Sequence, residues 1–383
     1  MSEYQYYEFQ AVDRPLTEGE IAELRALSTR ARITPTQLQN VYHWGSFKGD
    51  PLALMERYFD AFVYVANWGT HHFMLRLPRR LLDPQTAQPY AVEGFVDVHA
   101  GGDHVILALT SEDEEGADWV EDDEAASWMP ALLPLRADLA SGDPRALYLG
   151  WLAGARAEML DDDELEPPVP PGLGSTSASL TALAEFLRLD DDLLAVAAAH
   201  SPELPEAPAA VDLERYITDL PISEKNALLI RLVKGEAAHV RAEILRRFRQ
   251  GSAPRVDARV GRRTVAELLS AAEEQAEARR RQEAERKAAE RARREREQAA
   301  ARTTYLDSLV GRQEELWRQV ETLIETKRPK EYDQAVQLLK DLHDLSLRQQ
   351  RAEAFAVRLG PLRERYAKRP SLLERLDRAR LRA

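Results

Sequence analysis

RRQEAERKAAERARREREQ, Arg280 to Gln298, decides how the rest of the chain is divided. From Ala271 to Arg302 alanine is the only apolar side chain, while Glu277 and Arg281, Glu283 and Lys287, and Glu290 and Arg294 stand four residues apart. Residues at that spacing meet one turn apart on a helix, so the segment can be helical in water without burying a face. Continued from Arg263 to Lys327, such a helix would reach roughly 100 Å at 1.5 Å per residue. Ten cations stand against eight carboxylates from Ala271 to Arg302, a net of +2. An arm for nucleic acid needs a large cationic excess, because affinity follows the phosphates it neutralises. A spacer, or a weak alanine-faced coiled coil able to pair two copies into a homodimer, is the expectation.

The flanks differ in kind. Residues 1–160 carry 12 Lys and Arg against 25 Asp and Glu (−13), residues 161–262 carry 12 against 18 (−6), and residues 263–383 carry 28 against 22 (+6). An acidic head and a mildly basic tail point to separate modules. The 383 residues are too many for one compact domain. No run approaches twenty apolar residues, so no membrane span is expected. The opening MSEYQYYEFQAVDRPL lacks the regions of a secretory leader, and zero cysteines exclude disulfides, thiol nucleophiles and thiolate zinc sites. A cytoplasmic protein is expected.

The head reads as α+β. QYYEFQAV alternates as a strand. Thr17 with Glu20 forms a capping box for EIAELRALSTR. QLQNVYHWG and HHFMLRLP are further strands, and GDPLALMERYFDAFVYVANW is read as one helix with Asp50 as cap and Leu54, Tyr58, Phe62 and Val65 facing the core. YAVEGFVDVHAGGDHVILALTS is a hairpin turning at Ala100–Asp103. The expected fold is an antiparallel sheet covered by helices over 1–160, with helices across Ala125–Ala157. A proline-rich acidic linker follows at 161–178, then a small domain of three or four helices at 179–250. The long charged helix or coiled coil occupies 263–327 and a C-terminal helical hairpin 331–383, its chain turning at Arg328-Pro329. Pro361 should break or kink the hairpin's second helix, because proline lacks the helical N–H donor. Pro370 starts a last short helix.

Two stretches, LERYITDLPISEKNALLIRLVKGEAAHVRAEILRRF (Leu213–Phe248) and YDQAVQLLKDLHDLSLRQQRAEAFAVRLGPLRERYAKRPSLLERLDRARL (Tyr332–Leu381), resemble the helical regions of bacterial SWIM-type zinc-finger proteins. The resemblance implies a nucleic-acid-handling setting and helical structure, but no activity. The finger itself needs Cys-x-Cys and Cys-x-His, so its metal function does not carry over to a chain without cysteine. YQYYEFQAVDRPLTEGEIAEL (Tyr4–Leu24) is similar to the opening of an uncharacterised bacterial family that supplies no chemistry.

Candidate chemistry is sparse. His99 and His104 flank the hairpin turn beside Asp97 and Asp103, and His71 could join them if HHFMLR were the neighbouring strand. Histidines of a surface hairpin are the plainer account, so no metal or cofactor is expected. There is no Walker loop and no nucleophile elbow; GLGST lies in the proline linker. Nine carboxylates fall between Glu112 and Glu124, including Asp113, Glu114 and Glu115, without the spacing of a calcium loop. The leading expectation is a non-enzymatic adaptor that binds protein partners through that acidic run and through Tyr332, Leu339, Phe355 and Tyr366 of the hairpin. The competing account has those four only packing the hairpin against Leu316–Ile324. The alternatives are an accessory nucleic-acid-binding factor using Arg279, Arg280, Arg281, Arg363, Arg365, Lys368 and Arg369, and a metal-dependent hydrolase in the head.

Overall fold

A computed structural model describes residues 3–113, 122–204, 210–252 and 262–381. The chain forms two compact units, Met1–Ala278 and Arg279–Ala383.

The first unit is built on a seven-stranded antiparallel sheet of β1 (Gln5–Gln10), β2 (Arg32–Thr34), β3 (Gln37–Tyr42), β4 (Ala61–Ala66), β5 (Thr70–Pro78), β6 (Val96–Gly101) and β7 (His104–Glu112), in the order β2-β3-β1-β4-β5-β7-β6. Its two faces bury separate cores, because alternate side chains leave a strand in opposite directions. Tyr7, Phe9, Phe62, Met74 and Ile106 face α1 (Glu18–Leu27) and α2 (Pro51–Arg57). Tyr6, Val63, Val65, Phe73, Leu75, Leu107 and Leu109 face the larger helical layer. That layer holds α4 (Asp122–Leu132), α5 (Leu135–Ala140), α6 (Arg145–Arg156), α7 (Ala178–Phe186) and α8 (Asp191–Ala199); α3 (Pro84–Ala87) is a single turn. Helix α6 is buried from Arg145 to Ala155, and a Cβ at Gly150 would sit 2.6 Å from a Val96 methyl, so only glycine lets helix and strand approach this closely.

The capping box of Thr17 and Glu20 and the hairpin between β6 and β7 form as their residues dictate. The segment read as one long helix does not. Helix α2 stops at Arg57, and Ala61–Ala66 is a strand lying between β1 and β5. Both faces of that central strand are covered, so AFVYVA is apolar at nearly every position and carries no alternation to distinguish it from a buried helix. Its aromatic and β-branched side chains are what a strand prefers.

The stretch 161–178 is pinned to the head. Tyr90 donates its hydroxyl to the Pro168 carbonyl (2.8 Å), Ser201 to that of Pro170 (2.7 Å), and Arg145 to that of Gly172 (3.1 Å). Glu166 is buried and accepts from the Tyr148 hydroxyl (2.5 Å) and from Arg263 (2.8 and 3.0 Å). Its backbone N–H donates to the Arg263 carbonyl (3.0 Å), which fixes the start of α12 (Val265–Ser308) on the head, with Val265 and Leu268 in the core and Thr264 and Glu267 as a reciprocal cap. Between lie α9 (Ala210–Asp219), α10 (Ile222–Val233) and α11 (Ala237–Ser252).

Helix α12 covers the whole charged stretch Ala271–Arg302 but is shorter than the 263–327 helix expected. It ends at Ser308, and Gly311, at φ +83°, separates it from α13 (Gln313–Glu325). Only glycine takes that conformation without strain. Along α12, Arg294 meets Glu290 at 2.7 Å and Arg291 meets Glu295 at 3.0 Å, pairs of the expected one-turn kind. Three helices complete the second unit: α14 (Pro329–Arg348), α15 (Ala352–Arg365) and α16 (Pro370–Arg378). Helix α15 is not interrupted at Pro361. The carbonyl that loses its donor belongs to Val357, an exposed residue, so water can satisfy it. Asp341 is buried on α14 and accepts from Arg302 (2.6 Å) and the Tyr305 hydroxyl (2.9 Å), tying the end of α12 to the bundle.

Candidate interaction surface

The four apolar residues expected to receive a partner are core. Tyr332, Leu339, Phe355 and Tyr366 are all buried, in one cluster with Leu316, Trp317, Val320 and Ile324. Of the acidic run, Glu112 ends β7, the Asp113 N–H donates to the Gly69 carbonyl (3.2 Å), and Glu114 and Glu115 lie outside the described residues. Beside it Trp68 is exposed in the β4–β5 turn. Trp44 after β3 is exposed as well, with the Arg30 guanidinium 4.3 Å above its ring.

The histidines are not brought together. Strand β5 does pair with β7, but His71 lies opposite Ser111 while His104 lies opposite Pro78. Seven register steps, roughly 23 Å at 3.3 Å per residue, and opposite faces of the sheet separate them. His99 is exposed on β6. Among the described residues no three His, Asp or Glu side chains gather as a metal-ligand set. His71 instead donates Nδ1–H to the Phe186 carbonyl (2.8 Å) and accepts at Nε2 from Arg188 (3.3 Å).

Burial disfavours the imidazolium of both His71 and His72, and each is held down to about 4 from its ordinary 6.5. The unfolded chain therefore takes up these protons before the folded one does. Unfolding free energy is expected to fall as pH drops from about 6.5 to about 4, with no further loss from these groups below that. Urea titrations across that window check this; a His71→Gln/His72→Gln variant should flatten the slope, and an unchanged slope would assign the pH dependence to other groups.

The basic candidates are largely engaged. Arg363 reaches Asp377 (2.7 Å), Arg365 lies near Glu321 (3.6 Å) and Glu325 (3.9 Å), and Arg369 stacks 4.7 Å from the Tyr366 ring while donating to the Ile324 carbonyl. Lys368 is exposed. Arg279 to Arg281 lie in the fully polar part of α12, where Arg279 approaches Glu283 at 3.6 Å.

A surface not anticipated lies on α10. Helix α11 carries it. Arg231 of α10 bonds Glu236 (3.0 Å) and Glu243 (2.7 Å), and Tyr216 of α9 meets Phe248 edge to face at 5.6 Å. Helix α11 is in turn fixed to the head, where Arg80 meets Glu236 (2.9 Å), His239 meets Asp13 (2.9 Å), Arg249 donates to the Ser141 carbonyl (3.0 Å), and Ala242 is buried. Yet α10 itself buries no residue. Ile222 (75 % exposed), Leu229 (58 %), Ile230, Leu232 and Val233 (90 %) lie open, and Ile222, Leu229 and Val233 recur at i, i+7 and i+11 on one stripe. The signal was in the sequence: ISEKNALLIRLV holds more large aliphatics than one inward face of a helix can use.

No protein-family model, no characterised protein and no solved structure matches this chain. Among the described residues no helix is long and apolar enough to cross a membrane.

Proposed function

We propose that the protein is a non-enzymatic cytoplasmic adaptor whose protein-binding surface is the apolar stripe of α10. The observation that carries this reading is a well-formed amphipathic helix with its aliphatic side turned outward. Isolated exposed leucines are ordinary, but a contiguous patch of them marks an interaction site. Covering each such side chain is worth about 1.5–3 kcal/mol, enough in sum to hold a partner helix laid along the stripe. The Arg80–Glu236 ion pair just before α11 and the His239–Asp13 hydrogen bond on it hold the α9–α11 group on the head, so the stripe is presented by a fixed scaffold. Self-association along α12 belongs to the same reading as a weak accessory contact, because an alanine-only face offers a shallow seam.

The test places a photo-crosslinking residue at Asn226, inside the stripe, in protein expressed in its native cells. A discrete protein adduct is expected, abolished by Leu229→Glu with Val233→Glu while the melting temperature stays unchanged. An adduct that survives those substitutions, or one formed equally from a probe at exposed Glu353, defeats the reading. A doubled mass by light scattering that the same substitutions abolish would identify the partner as a second copy.

A further inference from the structure

Two turns of the C-terminal unit spell the same three residues. Lys327-Arg328-Pro329 joins α13 to α14, and Lys368-Arg369-Pro370 joins α15 to α16. Packing sets them side by side at one end of the bundle. The Arg369 guanidinium donates to the Ile324 carbonyl, the Tyr366 hydroxyl donates to Glu325 (3.0 Å), and Arg365 lies 3.9 Å from the same carboxylate. With Lys330, six cations from two distant parts of the sequence thus share one surface.

Helix stability accounts for only some of them: Arg365 stands in the last turn of α15 and Arg369 donates to the Ile324 carbonyl at the end of α13, where a cation complements the dipole. Helix starts favour Ser, Thr, Asp or Asn, and a cation there opposes the helix dipole. Neither Arg328 nor Arg369 makes a side-chain cap. Intramolecular pairing occupies only some of the six. Arg328 reaches Glu331 (3.5 Å), Arg365 reaches Glu321 (3.6 Å) and Glu325, and Asp333 is taken by Arg375 (2.7 Å). Lys327, Lys330 and Lys368 are exposed, and among the described residues none has a carboxylate within ion-pair distance. The unit that carries them holds 27 Lys and Arg against 18 Asp and Glu, a formal +9 in a chain of −13.

The surroundings narrow the partner. Tyr332 and Tyr366 are buried, so no aromatic ring at this end is free to stack on an unpaired base. No large aliphatic is exposed there to enter a lipid surface; the exposed apolar residues of the unit, Tyr305, Val310, Leu347 and Val357, lie elsewhere. What is left is point charge, which suits a regular array of phosphates and reads no sequence. We propose that this end of the C-terminal unit binds the phosphate backbone of duplex DNA, a contact separate from protein binding by α10.

The test uses the full chain and a short labelled duplex of mixed sequence, followed by fluorescence anisotropy over a salt series. Neutralising roughly three phosphates gives a log–log slope of about −3. In the variant Lys327→Gln/Lys330→Gln/Lys368→Gln, affinity should fall about tenfold or more at low salt and the slope should shrink by roughly one unit per lysine removed. Among the described residues the side chains of those lysines make no hydrogen bond or ion pair, so the unit's thermal melting should not move. Arg291→Gln/Arg293→Gln, on the polar part of α12, should leave binding unchanged. Wild-type protein that ignores the duplex at low salt, a triple variant that binds as wild type, or a preference for single strands or for phosphatidylserine vesicles over the duplex would each overturn the proposal.

Discussion

Replacing Asp60 by alanine is expected to lower the unfolding free energy by about 3–5 kcal/mol, the range for removing one member of a buried charged pair. Asp60 lies between α2 and β4 and is 1 % exposed. One carboxylate oxygen accepts the backbone N–H groups of Val12 (2.7 Å) and Asp13 (2.9 Å); the other accepts from Arg76, Nη2 at 2.8 Å and Nε at 3.2 Å. Alanine strands a guanidinium and two backbone donors away from water, and each carries a desolvation penalty. Asp60→Asn keeps the shape and one acceptor oxygen, so its loss should be smaller. Urea denaturation of both variants checks this, and a cost below about 1 kcal/mol for alanine would mean that water reaches Arg76 readily.

The same variant bears on binding. Arg136 donates to the Arg76 carbonyl (2.9 Å) and to Asp13 (2.7 Å), and the other Asp13 oxygen holds His239 of α11. Burial alone would push the Asp13 carboxyl up, but the His239 hydrogen bond and the Arg136 guanidinium bring it down to about 2. Its stabilising contribution is therefore present above its unfolded value of 3.8 and is lost as pH falls from there towards about 2. Loosening Asp60 frees the turn that carries Asp13, and with it one attachment of the helices that present the α10 stripe.

Elements whose signals are local were readable in the sequence. Thr17 and Glu20 announce α1, Pro51 and Asp50 announce α2, and the alternation around Gly101-Gly102 announces the β6–β7 hairpin. Elements defined by what lies across from them were not. AFVYVA is a strand because β1 and β5 flank it and helices cover both faces, none of which its own periodicity records. Strand β2 is three residues long, too short for any alternation. The candidate site shows the same division. ISEKNALLIRLV declares itself apolar, but its exposure follows from α11 being held to the head by the Arg80–Glu236 pair and the His239–Asp13 hydrogen bond, which only the fold reveals. The two Lys-Arg-Pro turns stand 41 positions apart in sequence and become one surface only when α13 and α15 pack in parallel against α14.

Leu339→Ala should decide between two accounts of the hairpin residues, because core and contact surface respond in opposite ways. Leu339 is 0 % exposed at the centre of the cluster formed by α13 to α16. Truncating a buried leucine removes its transfer free energy and leaves a cavity, together about 2–5 kcal/mol. The C-terminal unit has a hydrophobic core of its own, so the loss should register there: amide exchange is expected to accelerate across α13–α16 while β4, β5 and β7 keep their protection. Were Leu339 instead a contact for a partner, the alanine variant would keep every protection factor and lose only binding. Val357→Ala is the counterpart on an exposed position of α15, at 75 % exposure, and should change stability by no more than about 0.5 kcal/mol. If exchange in α13–α16 responds equally to both substitutions, the cluster around Leu339 is not the core that holds those helices together.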